Sequence, residues 1–368
     1  MFNIKKQVSK LYISSVLGNL SLTGAWVAIL AARGYSLVEI GIAETVFHIT
    51  SLIFEIPSGI LADVFGRKNT LIISNIMRMI GNVIMIFSSN LFMVCASIAF
   101  HALSYNFSSG SGDALAYDSL KSVSRESYFE KYASNQMIIY RVCSGLSTMC
   151  AGLALFIGHR MAYGTDLLVG IAQTVILMSL KEIRIDPPAQ KSGGNIIASI
   201  FREIAKCFTE SITFLKTAKK AMFLMFCNSL VGALDILLLF FLQARLPQVG
   251  ISGWTLGIAL LIMQLGGVVG AKLILRLKKA KYQHVFAAAA ALVLLGVLVE
   301  HSGMYLVMTA GGFIAAMGDD ALQVRTNALL QDMFPSQQRA TLISIESFTF
   351  STIMIVLSPL AGFFFSHW

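Results

Sequence analysis

The sequence predicts an all-α membrane protein: two pseudo-symmetric helical bundles with about eleven membrane-spanning helices, six and then five. Three observations predict it. Of 368 residues, 56% are hydrophobic and only 13% charged, roughly half the charged share of a soluble domain, and mean hydropathy is +0.74. Apolar runs of about 20 residues recur along the whole chain, each long enough to cross a hydrocarbon core. The chain also repeats: "GDALAYDSL" at 112–120 returns as "DDALQVRTNALL" at 319–330, an offset of 207 that aligns Asp113 with Asp320. The same offset takes Gly59 to Gly266 and Ala133 to Ala340, and Gly24-Ala25 matches Gly232-Ala233 at 208. Two tandem units is the economical reading.

Taken in order, the helices are expected at 11–32, 38–61, 70–89, 91–120, 131–158, 161–180, 219–243, 252–275, 283–300, 303–330 and 339–363. The first is too long for a signal-peptide core and lacks a small-x-small cleavage site, so it is a retained helix. Most links are short, as in helical bundles. The exception is 181–218, rich in Lys and Arg and opened by Asp186-Pro187-Pro188 and Ser192-Gly193-Gly194. Its residues 196–217 pattern as an amphipathic helix lying on the membrane surface. The expected domains are therefore 1–180, a linker at 181–218, and 219–368. The chain ends at "AGFFFSHW", which reads like a link into a twelfth helix that is missing, natively or by truncation.

Basic residues set the orientation. With the N-terminus inside, the cytoplasmic segments hold 22 Lys plus Arg against three in the outer links, Arg33, Arg160 and Arg245. That places a multi-pass protein in the cell (inner) membrane with a cytoplasmic N-terminus. It also accounts for the net charge of +9, so no nucleic-acid partner is implied. The five cysteines fall in or near apolar runs without a CxxC pair, as small buried side chains rather than disulfides or metal ligands. No Walker loop, HExxH or GxSxG is present, so neither enzymatic chemistry, cofactor nor metal is expected, and transport would draw on a gradient.

Between the second and third helices runs "SGILADVFGRKN", 58–69. Gly59 would allow two helices to approach closely, and Gly66 a tight turn. Asp63 could cap the third helix and meet its positive dipole end, leaving Arg67 to reach an acid on a neighbouring helix beside Lys68. Two parallel halves with GxLADxxGRK after the second helix resemble the major facilitator superfamily of secondary transporters, over nearly the whole chain. Glu55-Ile56-Pro57 and "SGSGDALAYDSLK" (109–121) are similar to its drug–proton antiporter branch, which also holds metabolite exporters. The resemblance implies a conformational latch formed by Gly59, Asp63, Gly66, Arg67 and Lys68 with Asp118, the position matching the family's acid at the inner end of the fourth helix. Val64 replaces the basic residue usual there, and the corresponding second-half loop, "GGVVGAKLILRLKKA", carries no acid.

Charges inside spans are costly and mark pathways. Glu44, His48, Ser51 and Glu55 share one face of the second helix, at spacings of four, three and four, and cannot face lipid. In the fourth helix His101 and Tyr105 lie on one stripe, Asn106 and Asp113 on the next. The resemblance puts His101 where many relatives have a proton-linked arginine, and has helices one, four, seven and ten lining the cavity, with three, six, nine and twelve outside. Proton-coupling candidates are then Asp113, Glu55, Glu44, His48 and His101; cavity candidates are Asp235, Asp319, Asp320, Tyr105 and Asn106. Seven intramembrane acids, Glu346 included, face three bases, Arg78, Arg141 and Arg325. Arg325 is expected to pair within its own half and Arg141 with Asp113. The leading expectation is a monomeric, proton-coupled multidrug-type antiporter exporting amphipathic or cationic small molecules by alternating access. Uptake of a small metabolite, or a non-transporting relative, remain alternatives.

Overall fold

A computed structural model describes residues 3–183, 209, 218–277, 279–333 and 339–367; the expected surface helix at 196–217 lies, Thr209 apart, outside them. The described residues are helical almost throughout, and the helices fall where the apolar runs put them. In chain order they are α1 (Ile4–Asn19), α2 (Trp26–Ala32), α3 (Leu37–Phe65), α4 (Arg67–Phe87), α5 (Leu91–Ser108), α6 (Ser111–Lys121) and α7 (Phe129–Met149). There follow α8 (Ala151–Ile157), α9 (His159–Met178), α10 (Lys219–Arg245), α11 (Trp254–Arg276), α12 (Tyr282–Val299), α13 (Tyr305–Met333) and α14 (Arg339–His367). Eight helical stretches are long and apolar enough to cross a membrane, and nine if the bent pair around α7 and α8 counts as one.

Three of the expected spans are interrupted, all in the N-terminal half. The first breaks at 20–25, the fourth at Ser109-Gly110, and the fifth at Cys150, where α7 and α8 bend by 47°. Their repeat counterparts are not broken at the equivalent places: α10 runs 27 residues and α13 runs 29. Gly110 sits at φ +70° and supplies the left-handed residue that the fourth-helix break needs. Local chemistry sets several helix starts. Asn90 Oδ1 accepts from Met93 N at 3.0 Å, and Ser36 and Glu39 close a capping box, Ser36 N donating to Glu39 Oε2 at 2.8 Å and Glu39 N to Ser36 Oγ at 3.2 Å.

Two compact units result. The first comprises Met1–Gly24, Val46–Ser147 and Ile157–Ala205; the second comprises Ala25–Thr45, Thr148–Phe156 and Lys206–Trp368. The second unit thus takes α2, the start of α3, and α8 from the N-terminal half of the sequence. Its core gathers Leu237, Leu238, Phe241, Leu242, Leu256 and Leu260, and glycines bring its helices together. A Cβ at Gly266 or Gly270 of α11 would fall on the carbonyl oxygen of Phe313 or Met317 of α13. One at Gly152 of α8 would fall on the Gly253 carbonyl, and one at Gly41 of α3 on that of Ser358 in α14. Fully buried Glu300 is paired with Arg245 Nε at 2.8 Å and lies 2.6 Å from His301 Nδ1.

One expectation for the 58–69 segment is corrected. Gly59 is exposed, and no atom lies within 4 Å of where its Cβ would be, so it mediates no close approach. The second span continues to Phe65, and Gly66, at φ +93°, is the N-cap of α4 and by itself joins the two; the expected cap by the Asp63 side chain lies outside the described residues. The tight turn expected at Gly66 is present. These packing differences make a paired prediction. Gly270→Ala should lose about 1–3 kcal/mol through overpacking, whereas Gly59→Ala, in an open helical position, should gain about 0.5–1 kcal/mol. Reversible unfolding of the two proteins in the same detergent measures both.

Candidate substrate cavity

The site begins with the break in the first helix. Backbone groups freed inside a membrane must find partners within the protein, and here one carboxylate supplies them. Buried Asp166, on α9, accepts from Leu22 N at 2.9 Å, Thr23 N at 3.3 Å, and the hydroxyls of Ser21 and Thr23 at 2.6 Å each. Ser147 of α7 adds a second tie, its Oγ accepting from Ser21 N at 2.9 Å. The turn between α1 and α2 is therefore a fixed feature, bonded to two other helices. Sequence reasoning passed over Asp166; the polar run Asn19-Leu20-Ser21-Leu22-Thr23-Gly24 was the available signal for the break.

Stopping α1 at Asn19 leaves its last carbonyls without helical donors. Arg78 of α4 takes one: Nη1 donates to Gly18 O at 2.8 Å. Nη2 donates to Asn75 Oδ1 at 2.8 Å and to Gln173 Oε1 of α9. Gln173 in turn donates to Ser14 O at 2.9 Å, and Asn75 Nδ2 to Gly170 O and Thr174 Oγ1, both at 2.7 Å. A polar lattice across α1, α4 and α9 results, with a guanidinium held at its centre.

Beside this lattice opens a cavity of about 540 Å³, wholly within the first unit. Its far wall is the fourth-helix break: Tyr105, Ser108, Gly110, Gly112 and Asp113, with Gln136 and Tyr140 of α7. Asp113 occupies the first turn of α6, where the helix dipole attracts a negative group. Ser74, Asn75 and Arg78 of the third span, and Gln173 and Leu177 of the sixth, also line the cavity.

The structure separates the other candidates. Glu44, His48 and Ser51 are buried and Glu55 half-buried, as a stripe excluded from lipid should be. Asn106 does not line the cavity; it clamps α5 to α3, accepting from Ser51 Oγ at 2.8 Å and donating to Ser51 O at 2.7 Å. His101 packs against Gly81 of α4, near the charge of Arg78. The expected Arg141–Asp113 pair is absent: Arg141 is exposed, without a hydrogen bond or ion pair, because it is carried on a face of α7 away from the cavity wall. In the second unit Asp235, Asp319 and Asp320 come close enough to act on one another electrostatically. Glycines make the room: Asp320 lies over Gly267 of α11, and a Cβ at Gly232 of α10 would meet Asp319 Oδ1 at 3.3 Å. Glu346 accepts from Asn228 Nδ2 at 3.3 Å, and Arg325 donates to Leu277 O at 2.6 Å.

The start of α4 has a partner that the sequence did not suggest. Glu182 accepts from Arg67 N at 2.9 Å and Lys68 N at 2.8 Å, while Lys68 Nζ donates to Met178 O at 2.8 Å.

A bundle of apolar spans with a polar cavity in one unit and a cluster of half-buried acids in the other is an architecture of membrane transport. The family model of the Major Facilitator Superfamily matches residues 11–359; the chain belongs to that family, and the match assigns it to transporters rather than enzymes. Solved structures with the same fold include the nucleoside transporter NupG, at 14% identity and TM-score 0.73, covering 98% of this chain and 90% of that one. A peptide transporter, POT, aligns at 13% identity and TM-score 0.71, over 97% and 88%. A D-xylose-proton symporter aligns at 10% and 0.65, over 97% and 90%. No curated protein matches in sequence.

Because Asp166 takes over the backbone at the break, its loss should exceed that of an ordinary surface acid. Asp166→Ala is expected to cost about 2–4 kcal/mol, since charge-assisted bonds are lost and buried donors left unpaired. Hydrogen exchange at the Leu22 and Thr23 amides should accelerate in the same variant.

Proposed function

We propose that the protein is a proton-coupled secondary transporter of a small polar solute. The observation that carries this reading is the cavity wall of hydroxyls, amides and two charged side chains. A greasy cation, the first expectation from the sequence, would have to desolvate that wall without satisfying it. Efflux of cationic compounds keeps one specific support, the acid cluster of Asp235, Asp319 and Asp320, which could receive a cation as well as a proton.

The same cluster is the proposed coupling element, with Asp113 and Glu55 as the other carriers the sequence suggests. Like charges crowded in a membrane interior repel, and binding one proton relieves that repulsion. The D-xylose symporter of the same fold is a proton symporter by description, which is the same kind of coupling. The basic-residue asymmetry supports a cytoplasmic N-terminus, and Arg67 with Asp118 supports a latch on that side.

Proteoliposomes test the coupling. With wild-type protein an imposed pH gradient should drive solute accumulation. Asp319→Asn or Asp320→Asn should reduce gradient-driven accumulation at least about tenfold, yet retain solute exchange without a gradient, since the cavity lies in the other unit. Unchanged accumulation in both variants would remove the cluster from the coupling.

A further inference from the structure

The cavity of the first unit contains two full charges, Arg78 and Asp113, and no ion pair joins them. Each is also without an ionic partner elsewhere. Arg78 is bonded only to neutral acceptors: the Gly18 carbonyl and the side-chain oxygens of Asn75 and Gln173. The guanidinium has five N–H donors, so Nε and one Nη1 proton remain unused. Asp166 acts on it electrostatically, but no ion pair joins the two among the described residues, and the oxygens of that carboxylate are turned to Ser21, Leu22 and Thr23. Asp113 lines the same cavity, is exposed, and accepts no hydrogen bond among the described residues.

Unpaired charges inside a membrane bundle are costly and mark a ligand or ion path. Two of opposite sign in one polar chamber narrow the choice. A simple cation would satisfy Asp113 but leave Arg78 unmatched. A simple anion would do the reverse. A neutral sugar-like solute would satisfy neither. Resting on the transport reading above, we infer that this cavity binds a small zwitterion, its carboxylate on Arg78 and its ammonium on Asp113. The volume, about 540 Å³, is in the range of pockets that enclose small molecules. The anionic end meets a cation that is already immobilised by three hydrogen bonds, so little ordering remains to be done on binding. Ser74, Ser104, Ser108, Gln136 and Tyr140 add polar side chains to the same lining.

The spacing of the two poles sets the solute length, and a ladder of probes reads it. Purified full-length protein in detergent, with no gradient present, is titrated with ω-amino acids from glycine to 6-aminohexanoate. Each is compared with its C-terminal amide, a cation, and its N-acetyl form, an anion; binding is followed by calorimetry. At least one zwitterion should bind at least about tenfold more tightly than both of its single-charge forms. Asp113→Asn should erase the preference over the N-acetyl form, and Arg78→Gln the preference over the amide. Arg78 ties three helices together, so Arg78→Gln can unfold; Asp113 makes no hydrogen bond, and Asp113→Asn carries the test alone in that case. No binding by any zwitterion, equal binding of zwitterion and either single-charge form, or an Asp113→Asn preference unchanged from wild type would each overturn the inference. Proton-driven transport of some other solute by the same preparation would then leave the transport reading standing.

Discussion

A backbone amide or carbonyl inside a bilayer must be bonded within the protein, and the architecture of this chain follows from how that demand is met. Continuous helices meet it automatically. The N-terminal half does not use continuous helices: its first, fourth and fifth spans are broken. Each break requires substitute partners. At 20–25 these come from Asp166 and Ser147; at the fourth span the hydroxyls of Ser108 and Ser111 fold back onto the carbonyls of Tyr105 and Phe107. The polar side chains in these spans are therefore first of all structural, and the cavity is lined by the end of α1 at Gly18 and Asn19 and by the fourth-span break at Ser108 and Gly110.

A division of labour between the two units follows. The first unit has irregular backbone, a polar lattice around Arg78 and a chamber large enough for a solute. The second has long unbroken helices packed at glycine contacts, with acids set over Gly232 and Gly267. Close glycine packing holds carboxylates in fixed relation to one another, which suits a proton site. A chamber beside a helix break suits solute binding, because backbone and side-chain polar groups converge there. The repeat that aligns Asp113 with Asp320 thus carries two different local structures on one ancestral plan.

Much of this was legible in the sequence. Apolar run length anticipated where the helices fall, since the bilayer fixes how long a helix must be. Among the described residues, however, eight stretches, or nine with the bent pair, are long and apolar enough to cross rather than the eleven expected. Gly66 announced its turn. The helix breaks were not legible, because apolar residues continue through them and the period is lost for only a few positions. The second helix was expected to end at 61 and runs on to Phe65, and the carboxylate that meets the first amides of α4, Glu182, is more than a hundred residues away in sequence. Arg78 and Asp113 were visible as charges in a greasy chain, but which of them face a common space depends on helix rotation and on the breaks. Asn106 illustrates the same limit: its spacing put it near Asp113, and packing turned it onto Ser51.

The transported solute is held to occupy the polar chamber of the first unit, beside Arg78 and the fourth-span break. Ser108 lines that chamber and is exposed to it. In a version lacking the five native cysteines, Ser108→Cys should react with a small water-soluble maleimide, and the solute that the protein accumulates should slow that reaction in proportion to its occupancy. A labelling rate that stays the same at saturating concentrations of the transported solute would contradict the claim.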